Sequence, residues 1–283
     1  MINILRIFRP KRRSSRVLNY SVLTLALFFA LGPLAVLSFN SIKSSTEVTG
    51  NPLGLPKEIH LENYPNAWTE GKFSTTARNS AILVVSTVAS VLVLGGLAAF
   101  SLARLNPPGS NAFMLYMLGG STLPVFLFLV PLFFLWRVLG LIDRLLGLVL
   151  IYTALNSPLA IFLLRSYMVQ IPADFEDAAR VDGANEIQVF TRVILPLAWP
   201  GFLTVGLVVA LGVWSEFQIA LIFVHVPDLF PVTTSYFNFT TRYSRDWSLT
   251  SAAAVMMIAP VLIFFLSLQR QFIEGLTQGG LKT

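Results

Sequence analysis

Six long apolar stretches dominate the sequence and restrict it to one class of fold. They cover residues 17–39, 80–103, 112–136, 145–164, 202–224 and 249–269. A helix needs about 20 apolar residues to cross the hydrocarbon core of a bilayer, and every stretch reaches that length. Charged residues make up 12% of the chain, against about 25% in soluble domains, and so few cannot cover a soluble surface. The sequence therefore predicts an all-α integral membrane protein with six transmembrane helices.

Prolines predict where these helices bend. Pro33, Pro124, Pro131, Pro158 and Pro260 lie inside the apolar stretches. Membrane helices tolerate proline where neighbours satisfy the freed carbonyl groups. We expect the strongest kinks at Pro124 and Pro131, in the third span. The first stretch follows a basic segment but is too long for a signal peptide, so we interpret it as an uncleaved span.

The composition excludes several kinds of active site. Cysteine is absent, which rules out a disulfide, an iron–sulfur cluster, a thiolate zinc site and a cysteine nucleophile. His60 and His225 are the only histidines, so a multi-histidine metal site is excluded as well. The sequence contains no G-x-x-x-x-G-K-[ST] motif and cannot hold ATP by a P-loop of its own. We expect no catalytic residue, no metal and no cofactor in this chain.

The basic residues of the N-terminal segment set the predicted orientation. Residues 1–16 contain no acid and six basic side chains, which are Arg6, Arg9, Lys11, Arg12, Arg13 and Arg16. Segments rich in lysine and arginine stay in the cytoplasm, and an even number of spans then places both termini there. The net charge of +6 is interpreted as topology and contact with anionic lipid, not as nucleic-acid binding. We divide the chain into a basic leader (1–16), a membrane domain (17–270) and a cytoplasmic tail (271–283).

The cytoplasmic loop at 170–200 carries the most informative pattern. Acids follow Pro172 closely, as at the start of a helix, and Gly183 is placed to end that helix with a positive φ. A second short helix is predicted to carry Ile187, Phe190 and Ile194 on one face. Small alanines and nearby acids suit close packing and ion pairs with a partner. From composition alone, a docking element and an ordinary solvated loop explain the segment equally well.

The spacing of this loop resembles the "EAA" loop of ABC-importer permeases. That signature is acid-Ala-Ala, three residues, Gly, nine residues, an aliphatic residue, one residue and Leu-Pro. The chain matches every interval, with Asp at 177 and Val at 193 where Glu and Ile are usual; the matching residues are Asp177, Ala178, Ala179, Gly183, Val193, Leu195 and Pro196. Segments D-G-A (182–184), W-S-E-F (214–217) and G-L-T-Q-G-G-L-K (275–282) resemble the maltose-type carbohydrate permeases, in which Asn is commoner than Ser215.

The resemblance implies a type I ABC-importer permease fold and a transport subunit for a sugar or oligosaccharide, without enzymatic activity, in the cell membrane of a prokaryote. It implies three partners: a sister transmembrane permease, a cytoplasmic ABC ATPase dimer that binds the ATP, and an extracytoplasmic solute-binding protein. The loop would form a coupling helix in a groove of the ATPase. The alanines would pack there, and Asp177 or Glu176 would pair with a basic residue. The implied contacts are Phe175, Glu176, Asp177, Ala178, Ala179, Asp182 and Gly183.

Two further contacts follow from the same resemblance. The tail would reach the ATPase through Gly275, Thr277, Gln278 and Gly279, although a polar, glycine-rich end is also typical of a disordered terminus. The external loop at 225–247 would dock the solute-binding protein, although its aromatic residues also suit an interfacial belt.

Glu216 is the only charge inside a predicted span, where such a group costs about 2.5–3.5 kcal/mol on insertion scales. In one interpretation it lines the translocation path with Trp214, Ser215 and Gln218, where Trp214 stacks on the apolar face of a sugar and polar neighbours bind the hydroxyl groups. In the other it fixes the fifth span against the loop or the sister permease. We favour the structural interpretation. Asn79 and Asn156 are weaker candidates for the path, because a buried Asn more often joins helices.

Two other functional classes remain as alternatives. An ion-coupled secondary transporter would use Glu216 as its proton or sodium site, but a single acid and the lack of an inverted repeat argue against it. A membrane hydrolase is less favoured, because no histidine lies in a span to serve as a base.

Overall fold

The computed structural model describes residues 13–243 and 245–280, with side chains from 18 to 243 and from 245 to 269. Regular secondary structure in this part of the chain is helical. The chain divides into two compact units. The smaller runs to Ala67 and adds Arg242–Met256, and the larger contains Trp68–Thr241 and the chain from Met257 onward.

The smaller unit begins with a long apolar helix. Helix α1 covers Arg13–Asn40, α2 covers Ser45–Gly50, and α3, at Asn63–Glu70, starts in this unit. Lys43 is fully buried between them, where its Nζ donates to the Oδ1 of Asn40 and the carbonyl oxygen of Asn51, both at 3.0 Å. The first predicted external loop is therefore tied together by polar contacts.

Three long helices form the core of the larger unit. Helix α4 covers Phe73–Phe100 and continues as a π-helix at Ser101–Leu105. It packs against α7, at Leu145–Val169, and against α11, at Trp199–Ser215, and these helices supply most of the buried apolar core. Glycine makes the close approach possible. A Cβ on Gly96 would lie 2.8 Å from the ring of Phe202, and one on Gly201 would lie 2.6 Å from the ring of Tyr167.

The predicted third span is interrupted. Helix α5 covers Ser110–Thr122, a 3₁₀ turn covers Val125–Leu127, and α6 covers Leu129–Val138. The break falls at Leu123 and Pro124, both of which have extended backbone. Pro131 was predicted to kink the span as well, but it lies in the first turn of α6, where a missing N–H costs no hydrogen bond.

The predicted coupling loop, at residues 170–200, and the predicted fifth span, at 202–224, form a bent chain of helices. Helix α8 covers Asp174–Val181; α9 covers Glu186–Val189, a π-helix covers Phe190–Ile194, and α10 covers Leu195–Leu197. The segment Glu186–Leu197 meets α11 at an angle of 78°. Helix α12, Gln218–Phe223, follows α11 after a break at residues 216–217.

One expectation for the second loop helix was wrong. Phe190 and Ile194 are buried as predicted, but the side chain of Ile187 is 72% exposed. Val189 is buried in its place, because the π-helix has a longer turn than the α-helix and shifts the buried face.

The C-terminal part contains α13 at Val232–Arg242 and α14 at Trp247–Gly280, preceded by a 3₁₀ turn at Pro227–Leu229. The predicted tail residues at 275–279 lie on the helical backbone of α14, but their side chains fall outside the described residues, as do residues 281–283 entirely. The leader at 1–12 also lies outside them.

Within the described residues, four helical segments are long and apolar enough to cross a membrane, and the bent pair Glu186–Leu197 and Trp199–Ser215 raises the number to five. The four are Leu18–Asn40, Phe73–Leu105, Leu145–Val169 and Trp247–Gln269. The third apolar stretch, at residues 112–136, is not among them, because its break leaves no single helix long enough to span a membrane. The six-span count and the cytoplasmic termini therefore stay predictions.

Candidate coupling loop and broken fifth span

Helix α8 forms where the sequence predicts a helix. Asp174, Glu176 and Asp177 lie in its first turn, where their negative charges favour the N-terminus of a helix. The chain leaves the helix at Gly183 with φ +84°, as the sequence predicts, and this conformation suits glycine. Asn185 and Gln188 then form a capping box that starts α9. The loop is therefore two short helices joined by a glycine turn.

The outward face of α8 is apolar and exposed. Phe175 is 51% exposed, Val181 is 87% exposed, and Ala178 lies between them on the same face. Asp177 and Asp182 are exposed beside this strip. Exposed apolar side chains next to charged ones are typical of a protein-interaction site. Val181 was missed at the sequence level, although its spacing from Phe175 and Ala178 places it on their face.

The inward face of α8 corrects the role predicted for Glu176. This residue was expected to offer an ion pair to a partner, but it is only 2% exposed. Its Oε1 lies 2.8 Å from the Nε of Arg104, and its Oε2 lies 3.2 Å from the Nη2 of Arg180. Two arginines of the same chain thus pair with the carboxylate, and of the three acids expected to face a partner only Asp177 and Asp182 are exposed.

The two alanines of the motif face different surroundings. Ala178 is exposed, whereas Ala179 is half-buried and packs against the core of its own chain. The prediction that both alanines pack into a partner's groove is therefore open only for Ala178.

Arg180 joins the two short helices electrostatically. Its Nε donates to the Oε1 of Glu186 at 3.0 Å, and its Nη2 donates to the Oε2 at 3.1 Å. These bonds lower the pKa of Glu186 and raise that of Arg180. Asp177 adds a longer contact to Arg180, at 3.3 Å. The relative placement of α8 and α9 therefore depends on an arginine that the motif does not include.

Glu216 lies at the break in the fifth span and closes it. Its Oε1 accepts the backbone N–H of Ile219 at 2.7 Å, and its Oε2 accepts that of Ala220 at 3.1 Å. The hydroxyl of Tyr152, on α7, donates to Oε2 at 2.5 Å. The backbone carbonyl of Glu216 accepts the hydroxyl of Thr233 at 2.6 Å. Glu216 thus satisfies the first N–H groups of α12 and ties the break to two other segments.

The other path candidates divide between apolar and polar surroundings. Trp214 donates its Nε1–H to the carbonyl oxygen of Met257 at 3.2 Å and lines an apolar cavity of about 210 Å³ between α4, α11 and α14. That cavity lacks the polar neighbours expected around a stacked sugar. Ser215 and Gln218 are exposed on either side of the break. The polar surface there comes from these two residues and not from the surroundings of Trp214.

The side-chain amides of Asn79 and Asn156 both donate hydrogen bonds to backbone carbonyl groups. The Nδ2 of Asn79 donates to Asp228 at 2.8 Å and to Phe230 at 3.2 Å, joining α4 to the segment before α13. The Nδ2 of Asn156 donates to Tyr152 at 2.8 Å, within α7. Asn79 thus joins two segments of the chain, as expected of a buried Asn, whereas Asn156 is half-buried and its amide bonds within its own helix, so its place on the translocation path stays a prediction.

Two further expectations concern the external loop and metals. Among the aromatic side chains at 225–247, Phe239 is buried, whereas Phe237 and Trp247 are about half exposed. Docking of a binding protein there stays a prediction. No group of three or more His, Asp or Glu that could hold a metal occurs among the described residues.

The family follows from comparison with known proteins. Residues 91–277 match the family described as "Binding-protein-dependent transport system inner membrane component". This chain belongs to that family. The matched range contains α7, α8, α11 and α12, and so includes the coupling-loop segment and the broken span.

Relatives cover nearly the whole length of the chain. It is 34% identical to the diacetylchitobiose uptake system permease protein NgcG of Streptomyces coelicolor, over 94% of this chain and 89% of that protein. It is 32% identical to the trehalose transport system permease protein SugB of Mycobacterium tuberculosis, over 92% and 95% of the two.

A solved structure supports the fold. One chain in the crystal structure of a bacterial ABC transporter involved in the import of the acidic polysaccharide alginate is similar with a TM-score of 0.81 and 26% identity, over 94% of this chain and 100% of that one. The predicted membership of the ABC-importer permeases is confirmed, and so is a multi-pass protein of the cell membrane.

Proposed function

We propose that the chain is one permease subunit of an ATP-driven importer for a sugar or oligosaccharide. The observation that carries the proposal is the solute class shared by its relatives, which are named for diacetylchitobiose, trehalose and alginate. All three solutes are carbohydrates. The family description adds that transport depends on a binding protein, which supplies the extracytoplasmic partner.

The outward face of α8 is the surface we propose for the cytoplasmic ATPase. Phe175, Ala178 and Val181 supply an apolar strip, and Asp177 and Asp182 supply charges for basic partners. The chain has no P-loop, so the energy of ATP must come from another subunit. A short helix held rigidly to the membrane domain transmits displacement better than a flexible loop does.

The break in the fifth span is the part of the translocation path that we propose for this subunit. Irregular backbone at membrane depth occurs where it is buried in protein or lines a water-filled cavity. The exposed side chains of Ser215 and Gln218 flank the break and supply hydroxyl and amide groups that suit a sugar. Glu216 holds α12 at the break by accepting two of its first N–H groups, and a sister permease forms the other wall.

The ion-coupled alternative has no observation in its favour. The carboxylate of Glu216 already accepts three hydrogen bonds from its own chain. A proton or sodium site there would have to displace the donors that hold α12.

Purification from native membranes in mild detergent tests the assembly. We expect a second multi-span permease and a P-loop ATPase to copurify, and we expect ATP hydrolysis to rise when solute-loaded binding protein is added. Ala178→Arg should lower recovery of the ATPase, and Asp174→Asn, on the same helix, is the matched control. Elution of the chain alone, without ATP hydrolysis in several detergents, would contradict the proposal.

The solute is tested separately with the same reconstituted complex. Disaccharides, oligosaccharides and polyols are each added with the binding protein, and ATP hydrolysis and uptake are measured. We expect at least one di- or oligosaccharide to stimulate both. Stimulation by polyols or other solutes alone would overturn the carbohydrate assignment but leave the assembly intact.

A further inference from the structure

We propose that Arg104 is the positioning residue that connects α8 to the long helices α4 and α7, through its buried ion pair with Glu176. This role rests on the coupling function proposed for α8 and adds the route by which a displacement of α8 enters the membrane domain. Arg104 lies outside the loop motif, in the π-helix that ends α4.

The ion pair is almost fully removed from solvent. The side chain of Arg104 is 11% exposed and that of Glu176 is 3% exposed, with Nε and Oε1 2.8 Å apart. The N–H does not point along this line, so the attraction is between charges and not a linear hydrogen bond.

Arg104 also reaches the end of α7. Its Nη2 donates to the carbonyl oxygen of Met168 and, at 2.6 Å, to that of Ile171. In return, the Nε of Arg165, on α7, donates to the carbonyl oxygen of Leu102 in the π-helix at 3.3 Å. The cytoplasmic ends of α4 and α7 are thus bound to each other in both directions, and Glu176 is attached to this joint.

The two arginines around Glu176 have different consequences for motion. Arg180 belongs to α8 itself and moves with it. Arg104 belongs to another helix, so its contact must stretch or break if α8 moves alone. Separating a buried pair leaves an uncompensated charge, which is strongly unfavourable. The pair therefore favours movement of α8 together with α4 and α7.

Reconstituted complexes carrying Arg104→Met, Glu176→Met and the double variant test this role. Arg192→Met and Asp174→Asn are the matched controls, since both remove an exposed charge from the same loop. The measured quantity is solute transported per ATP hydrolysed, together with the amount of ATPase bound. A merely structural defect lowers uptake and hydrolysis in proportion and leaves their ratio unchanged.

We expect each single variant to bind the ATPase and hydrolyse ATP but to transport about tenfold less solute per ATP, within the range of coupling between distant sites. The double variant should be no worse than either single one, because the two residues act as a unit. Both controls should match the unaltered chain.

An unchanged ratio in Arg104→Met would overturn the proposal, and so would a double variant whose ratio falls by the product of the two single effects. If Arg104→Met does not assemble, Arg104→Gln and Glu176→Gln, which remove a charge but keep a polar side chain, must show the reduced ratio instead. Lack of ATPase binding by the unaltered chain would be a different result, because it would refute the function proposed for α8.

Discussion

Glu176 and Glu216 are both acids enclosed by their own chain, but they are held in different ways. Glu176 faces two arginines, and one of these comes from a helix far away in the sequence. Glu216 accepts neutral donors, two of which are backbone N–H groups of the residues that follow it. The first acid joins separate elements by charge, and the second closes a helix end.

This difference separates a coupling role from a supporting one. Moving α8 away from Arg104 separates the buried charges of Arg104 and Glu176, which is unfavourable. The end of α4 and α8 therefore resist independent motion. Opening the contacts of the Glu216 carboxylate frees two N–H groups of α12 and the hydroxyl of Tyr152 on α7, but it separates no pair of charges. We therefore expect substitutions on the loop side to change transport per ATP, and those at Glu216 to change stability first.

The largest effect is expected from Ala179→Lys. Ala179 is half-buried on the inward side of α8, so a lysine there lifts the helix from the core. Overpacking of this kind costs about 1–3 kcal/mol, which corresponds to about 5- to 150-fold in a coupled equilibrium. Uptake should fall by such a factor while membrane insertion stays normal. Ala179→Ser is the control and should transport well. Normal uptake by Ala179→Lys would contradict the coupling role expected of the loop.

Removing the carboxylate of Glu216 should have the next largest effect. Glu216→Ala leaves the N–H groups of Ile219 and Ala220 without their acceptor, and an unsatisfied buried donor costs about 1–3 kcal/mol. The melting temperature in detergent should fall, with solute transported per ATP unchanged in the surviving protein. Glu216→Gln should be milder, and Gln218→Ala, exposed beside it, should be neutral in stability. A changed transport ratio with normal stability would assign Glu216 to coupling instead.

A smaller loss is expected for Tyr152→Phe. This change removes one donor to Glu216 and leaves the two backbone bonds in place. A single hydrogen bond contributes about 0.5–1.5 kcal/mol. The melting temperature should fall by less than in Glu216→Ala, and in the Glu216→Ala background Tyr152→Phe should add nothing. Fully additive effects would show that the two residues are not partners.

The smallest effect is a pH dependence of the loop. The bonds from Arg180 lower the pKa of Glu186 below its ordinary value of 4.5. A carboxyl whose folded pKa is lowered stabilises the fold above its unfolded pKa, and this contribution is lost as pH falls through the folded value. The amide protection factors of α8 and α9, which correct for the intrinsic slowing of exchange in acid, should therefore fall below about pH 4.5. Glu186→Gln should lack this loss of protection in acid. An equal loss in that variant would assign the pH dependence to another titrating group.

The local features of the loop were predictable from sequence because they depend on residues close together in the chain. The glycine turn at Gly183 follows from the acids before it and the spacing of the motif. The cost of a lone charge inside a span predicts that Glu216 faces a partner or a cavity, but it does not identify Tyr152 or the N–H groups of α12 as the partners.

The features that failed depend on distant residues or on helix phase. Nothing near Glu176 indicates that Arg104 will cover it, and both faces of α8 carry an acid, so the pattern of charges does not show which one is buried. The π-helix at Phe190–Ile194 shifted the buried face away from Ile187. The polar surroundings expected for Trp214 were absent because α14 packs an apolar wall beside it.

The central claim is that the outward face of α8 docks an ATPase and the inward face does not. The chain contains no cysteine, so a single introduced cysteine is the one site in this chain for a photoactivated maleimide crosslinker. Val181→Cys, on the exposed face, is compared with Val189→Cys, which is buried, in membranes that contain the whole transporter. We expect an adduct between this chain and a P-loop ATPase from position 181 and none from 189. Absence of that adduct from both 181 and an Ala178→Cys variant, in membranes that take up solute, would contradict it.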